Sequence, residues 1–464
     1  MVSTQNKWLS GPYAPIEGDV TATELVVEGT LPEELEGRYL RNGPNPITAV
    51  NPATHHWFAG DGMVHGLRLG GGQAHWYRAR MVRSTRVSEL LGEIPAPGER
   101  HANMDTANTN VIGLGGKTFA LVEAGARPVE LTYDLETVQH SDFDGGLPHG
   151  YTAHPKVDPV TGDRHAISYH WSIPYLEYSV ISGDGVVKHL SPVEVSDGPM
   201  VHDCSITARW VVVYDLPVTF NLDTAMQGGR FPYSWSEDRP ARIGLIPLGG
   251  SGSEVRWFEV APCYLFHAVN AHDDGDTVVI DVIRYDRMFD VQTLGPDDDA
   301  PLLWRWRIDT VTGKVHEQQL SDQPLEFPRV DERVVGRHHR WAYGSEVRRR
   351  DQDNSFGGNL IRIDGRSGDL LRSDLGPGRA AGEWVMVPRH ATAAEDDGWL
   401  MSFVHDATTQ CCELLVLSAM DPTGDPVARV QLPNRVPLGF HGTWVPDTAS
   451  SAPPPNPLHD PLQR

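Results

Sequence analysis

Short apolar runs separated by turn signals recur along the whole chain, and this rhythm limits the fold more than any other feature. The clearest unit is Pro262 to Asp286, PCYLFHAVNAHDDGDTVVIDVIRYD. An apolar, aromatic run leads to a polar turn at Asp273-Asp274-Gly275-Asp276, followed by the alternating TVVIDVIRY. Alternation divides side chains between the two faces of an extended strand, and Asp-Gly supplies the tight turn, so the segment predicts a β-hairpin. HHWFAGDGMVHGLRLGGGQAHWYRARMV repeats the pattern as strand, Gly-Asp-Gly turn, strand, Gly-Gly turn, strand. NTNVIGLGGKTFALVEAG, YTAHPKVDPVTGDRHAISYHW and GPMVHDCSITARWVVVYDLPV continue it. A 3.6-residue period is rare; short pieces such as Ser88–Leu91 predict a helical turn.

The class is therefore all-β. Sandwiches, barrels and propellers share this signature, but a chain of 464 residues is consumed by about six to eight four-stranded propeller blades. The rhythm runs to LGFHGTWVP, so residues 1–446 read as a single propeller domain with a leading arm at 1–35. Residues 217–242 interrupt it with an aromatic-rich insertion. The stretch 447–464, DTASSAPPPNPLHDPLQR, reads as a Pro-rich, disordered tail.

Net charge narrows the ligand classes. The formal charge is −23 and the only basic run, Arg348–Arg350, reads as solvated surface, which argues against nucleic acid and against a polyanionic ligand. Cys204, Cys263 and the pair Cys411-Cys412 form no CxxC spacing, hence neither a zinc knuckle nor a disulfide framework. MVSTQNKWLSGPYAP lacks a signal-peptide pattern, and no apolar run approaches the roughly 20 residues of a membrane span. The expected location is cytoplasmic, and no protein partner is evident.

Among 21 histidines, four stand in strand-like settings beside small or apolar neighbours: His154, His202, His267 and His441. One such imidazole alone is most simply a satisfied core residue. In a propeller, however, the innermost strand of every blade faces the axis, so four blades can bring four imidazoles to one point. Neutral imidazole suits Fe, Zn, Cu or Ni, and an all-nitrogen set with open positions suits redox chemistry with O₂. Ligand histidines donate their second N–H to carboxylates, and Glu123, Glu326 and Glu383 lie in apolar runs where a charge is otherwise costly. His55, His56, His65 and His272 read as turn or surface residues, His338-His339 as structural or solvent-facing, and Asp61-Gly62-Met63 as a turn.

These residues belong to an ordered set of segments: GRYLRNGPNP, FAGDGMVHG, ANTNV, TAHPKVDPVTGD, MVHDCSIT, FHAVNAHDDGD, EFPRVDERVVGRHHRWAYG, GEWVMVPR, EDDGWL and FHGTWVP. Over roughly residues 20–446 the set resembles the carotenoid cleavage oxygenases. That resemblance implies a seven-bladed propeller with loops and short helices forming a dome over its top face. It implies one Fe²⁺ per chain at His154, His202, His267 and His441, with Glu123, Glu326 and Glu383 behind them and one ligand lacking a carboxylate. Thr109 would turn its methyl toward a vacant coordination position.

The activity implied is that of a dioxygenase acting on single donors, which splits a C=C bond of a carotenoid or apocarotenoid with O₂ into two carbonyl products. The alternative is a phenylpropanoid- or stilbene-cleaving oxygenase. That branch grips a phenol through a Lys and a Tyr, and the matching positions here are Val122 and Met81, which suit a hydrophobic polyene. Phe58, Phe220 and Phe231, with Tyr233 and Trp235, are expected to line the channel or its mouth. An apolar mouth would allow peripheral membrane contact. A non-catalytic binding propeller is the remote alternative; it predicts no metal and gives no reason for four strand-borne His with three buried Glu.

Overall fold

The computed structural model describes residues 6–100, 105–226, 231–290, 294–296, 299–348 and 356–447. Its alternating segments form seven antiparallel sheets arranged as propeller blades, five of them four-stranded. Within each four-stranded sheet the strands follow chain order, as a meander requires. The hairpin Tyr264–Asp274/Thr277–Tyr285 turns at Gly275, where φ is +59°, and pairs Asp274 with Thr277.

The ring closes through both ends of the chain. Gly442–Pro446 pairs with Gly37–Pro44, in register from Arg41↔Gly442 to Gly37↔Pro446. Val20–Ala22 forms the outer edge of the same sheet, and Val27–Gly29 the outer edge of the preceding one. Closure of this kind leaves no unpaired seam between the first and last blades.

The interior is apolar and built between blades. Trp306, Trp384, Tyr39 and Tyr77 are among its largest fully buried side chains. The helical turn expected at Ser88–Leu91 is one end of the helix Thr85–Leu91, capped by Ser84 Oγ accepting from Val87 N at 3.2 Å and stopped by left-handed Gly92. The insertion makes a small hairpin outside the blades, Val218–Phe220 against Tyr233–Trp235, with the helix Leu222–Met226 between them.

Several expectations need correction. Trp57–Ala59 is a 3₁₀ turn, and Gly62 opens the strand Gly62–Gly70, so only Asp61 of Asp61-Gly62-Met63 lies outside a strand. His55, His56 and His65 are buried; His65 sits mid-strand with Nδ1 2.9 Å from Tyr77 Oη, a contact no surface residue would need. His272 is half-buried in a strand, His338 is exposed and His339 is buried. Arg349, Arg350 and the tail from 448 onward lie outside the described residues.

Candidate metal centre

The four histidines occupy equivalent places in four blades. His154, His202 and His441 precede the innermost strands Lys156–Val157, Cys204–Ile206 and Gly442–Pro446 by one or two residues. His267 lies inside Tyr264–Asp274, where the register slips between Leu265 and Ala268. A bulge adds a residue to one strand and re-aims its side chain, which is how an in-strand histidine reaches the point its neighbours reach from strand starts. Their Nε2 atoms face one another at 3.0 Å (His154–His202), 3.3 Å (His202–His267) and 3.2 Å (His267–His441).

Three carboxylates stand behind three of the rings. His267 Nδ1 is 2.6 Å from Glu326 Oε2, His441 Nδ1 is 2.9 Å from Glu383 Oε1, and His202 Nδ1 is 2.5 Å from Glu123 Oε2. Glu326 and Glu383 draw the ring protons of His267 and His441 to Nδ1 and leave Nε2 as a lone-pair donor, whereas Glu123 stands close to His202 Nδ1 without an aligned hydrogen bond. No described carboxylate pairs with His154. Glu326 also accepts from Tyr285 Oη at 2.9 Å, and Glu383 from Gly442 N at 2.8 Å and Arg329 Nη1 at 2.9 Å.

Burial and the neighbouring imidazoles push His154 well below its ordinary value. Burial takes His441 to about 4 despite Glu383. Burial pushes His267 down as well, but the charge and hydrogen bond of Glu326, helped by Asp203 and Glu383, raise it on balance. Burial pushes the Glu383 carboxyl up, but Arg329 and His441 together hold it at about 2.

This donor set fits a metal cation. Lone pairs aimed at one another across 3.0–3.3 Å repel unless a positive charge lies among them. A first-row metal about 2.1 Å from each nitrogen separates adjacent nitrogens by about 3.0–3.4 Å. All four side chains are buried, and the donor atoms lie within 4.8 Å of one another. A dication and the Arg329 guanidinium would together balance the three carboxylates.

Two supporting residues carry no metal-ligand signature and were missed. Asp203 accepts from Ala268 N at 3.0 Å, Cys204 N at 2.7 Å and Lys156 Nζ at 2.8 Å, so one buried carboxylate ties together the strands that follow His154 and His202 and the strand that carries His267. The signal available was a charge inside the apolar MVHDCSIT. Asn110 Nδ2 reaches Ala153 O at 2.7 Å and steadies the approach to His154.

A chamber of about 500 Å³ lies on one side of the histidines. Trp57, Phe58, Phe266, Phe327, Phe356 and Phe440 give it an aromatic wall, and Val122 and Phe231 face it. Thr109 faces it too, with its hydroxyl donating to Asn108 Oδ1 at 3.1 Å. On the other side a polar channel of about 470 Å³ is lined by Lys156, Arg164, Asp203, Asn270 and Glu332. His267 and His441 border both.

Met81 and Phe220 do not line the chamber. Along Gln73–Met81, alternation puts Tyr77, Ala79 and Met81 on one buried face, and Met81 packs with Met63 and Val87 in an inter-blade core. Phe220 stacks on Trp171, ring centres 5.2 Å apart, and it is Trp171 that reaches the cavity. Trp235 is likewise outside the lining, whereas Tyr233 is part of it.

Comparison with known proteins gives the same picture. The family described as "Retinal pigment epithelial membrane protein" matches residues 13–446. A carotenoid cleavage oxygenase of Mycobacterium tuberculosis is 41% identical, over 96% of this chain and 98% of the relative. The crystal structure of Pseudomonas brassicacearum lignostilbene dioxygenase superposes with a TM-score of 0.85 at 28% identity, over 96% of this chain and 100% of that one. Cobalt-substituted Synechocystis apocarotenoid oxygenase gives 0.84 at 27%, over 95% and 98%.

Proposed function

This chain belongs to the retinal pigment epithelial membrane protein family, which includes the carotenoid cleavage oxygenases, and from that membership we propose a non-haem iron(II) dioxygenase that cleaves a C=C bond of a carotenoid or apocarotenoid. The observation that carries the reading is the four-imidazole cluster at the floor of an aromatic chamber. One Fe²⁺ per chain, held by His154, His202, His267 and His441, would supply the activation of O₂. Glu326 and Glu383 keep two of these rings in the tautomer that presents Nε2, and Glu123 places a negative charge behind the third, His202. Thr109 offers its methyl to the chamber, because its hydroxyl is engaged by Asn108.

The substrate is bound by its polyene, which Phe58, Phe266 and Phe440 hold away from water beside the metal. In the overall change the C=C bond is lost, two C=O bonds form, and both atoms of O₂ are used. No net proton transfer is required, so the chamber needs no acid–base pair. Val122 leaves a phenol without a cationic partner at that position. Residues 1–446 are taken as one functional unit, supported by the pairing of Gly442–Pro446 with Gly37–Pro44 inside a single blade.

Peripheral membrane contact belongs to the same reading. It is supported by Trp171, Leu222 and Met226, which are 48%, 60% and 78% exposed beside or within the insertion. No helix among the described residues is long and apolar enough to cross a membrane.

The test is anaerobic loading with Fe²⁺, admission of O₂, and product identification from carotenoids, apocarotenals and 4-hydroxystilbenes. About one iron per chain and paired carbonyl products from a polyene are expected, with cleavage lost in His202→Ala and His267→Ala. Undiminished activity after rigorous chelation would remove the metal assignment. Leaving a phenol unpaired disfavours it by roughly 10–100-fold, so polyenes should exceed resveratrol in catalytic efficiency. Ready release of 4-hydroxybenzaldehyde with every polyene ignored would move the protein to the stilbene branch.

A further inference from the structure

The chamber wall is aromatic, and its buried polar groups are almost all engaged with one another. Asn108 Nδ2 donates to Phe58 O and Gly60 O, Tyr285 Oη donates to Glu326, and Tyr169 has Glu123 as its partner. Glu123 in turn faces His202. Among the described lining residues, three buried side-chain atoms make no hydrogen bond: Glu123 Oε2 and His202 Nδ1, which face each other as a charge pair at 2.5 Å, and the Tyr233 hydroxyl, which has no such counterpart. Tyr233 is 8% exposed and is held by Tyr169, Phe220 and Phe231, with ring centres 5.6–5.9 Å away.

A phenol in a dry wall is disfavoured unless it meets a partner, because it loses water and gains nothing. A phenylalanine would fill the same space without that loss. Burial also raises the Tyr233 ionisation, with Glu123 adding to the effect, so the group remains a neutral O–H donor.

Resting on the polyene-cleaving reading, we infer that Tyr233 is a specificity-determining residue: its hydroxyl donates to a carbonyl or hydroxyl oxygen on the substrate's end group. The preferred substrate class is then an oxygenated polyene, an apocarotenoid, rather than a hydrocarbon carotene. The Phe58 and Phe231 rings beside it, 5.6 Å apart, would carry the conjugated chain. Tyr233 belongs to the insertion hairpin, so the end-group contact comes from outside the blades while the metal comes from within them.

The experiment compares iron-loaded wild type with Tyr233→Phe on two substrates of equal length, an apocarotenal and the polyene in which –CHO is replaced by –CH₃. Wild type should favour the aldehyde in catalytic efficiency by about tenfold or more, as a site built to hydrogen-bond an oxygen does. Tyr233→Phe should collapse that ratio mainly through KM, with an unaltered melting temperature, since the hydroxyl makes no bond within the protein. Equal efficiencies in wild type, or the same ratio in both proteins, would overturn the assignment. A Tyr233-dependent gain shown by resveratrol and not by the aldehyde would overturn it as well.

If wild type cleaves no polyene, the oxygenase reading fails on its own. Binding then decides, through quenching of Trp57 and Trp171 fluorescence by the two polyenes. Tighter binding of the aldehyde that is lost in Tyr233→Phe supports the end-group contact; equal affinity removes it.

Discussion

Glu383 does three things at once: it accepts from His441 Nδ1, from Gly442 N, and from Arg329. Glu383→Gln keeps the shape but removes one of the two counter-charges of the half-buried Arg329 guanidinium, leaving Glu332, and removes one acceptor lone pair. Metal affinity or turnover should fall roughly 10–100-fold, read by iron titration and by rate, and unchanged values would make Glu383 an ordinary buried carboxylate. A second residue-scale consequence concerns acid. Burial holds His65 at about 3 and His165 at about 4, each against a tyrosine hydroxyl, at 2.9 and 2.8 Å. Both rings are neutral when folded and take up protons near 6.5 when unfolded, so the unfolded state binds more protons as pH falls. Their stabilisation is complete above pH 6.5 and is lost progressively as pH falls toward about 4 for His165 and about 3 for His65. The melting temperature of the metal-free protein should follow that slope, and His65→Gln should make it shallower without abolishing it, because His165, His154 and His441 are also held neutral by burial; a flat wild-type profile would contradict the burial of these rings.

Strand starts and bulges, rather than residue types, decide which side chains reach the axis. His267 and Glu326 both sit where the register slips, and Phe327 beside Glu326 takes a φ of +54°. The approach to His441 depends on a close crossing of two glycines: a Cβ on Gly439 would lie 2.6 Å from Gly43 Cα and 2.9 Å from Arg41 Nη2. Gly439→Ala should therefore destabilise by about 1–3 kcal/mol and lower bound iron, measured by calorimetry and metal content. Retention of both would mean the crossing yields. Hairpins such as Tyr264–Tyr285 were legible because alternation and Asp-Gly turns are local signals. Val122 and Met81 mark the limit: both read as apolar wall, yet the phase of Gln73–Met81 sends Met81 into the inter-blade core. A shift of one residue reverses the face, and nothing local in YRARMV reports that phase relative to the axis. Asp203 escaped notice for a related reason, since its three partners come from three strands that only tertiary structure brings together.

At the scale of the molecule, the seven blades form a ring whose histidines divide an aromatic chamber from a polar channel. Four separated imidazoles were legible as one site only because an axis was expected; the insertion hairpin over the chamber was not, since neither its length nor its aromatics specify where it folds back. Ring closure adds a matter of timing. Polypeptides are synthesised from the N-terminus and begin to fold as they emerge. His154, His202 and His267 are therefore available while much of the chain is still being made, but His441 directly precedes the strand Gly442–Pro446 that seals the ring against Gly37–Pro44. The fourth nitrogen thus arrives after the other three, on the segment that completes the circle. A nascent chain stalled before it holds three imidazoles on an open arc, and only a chain translated through its last blade presents all four.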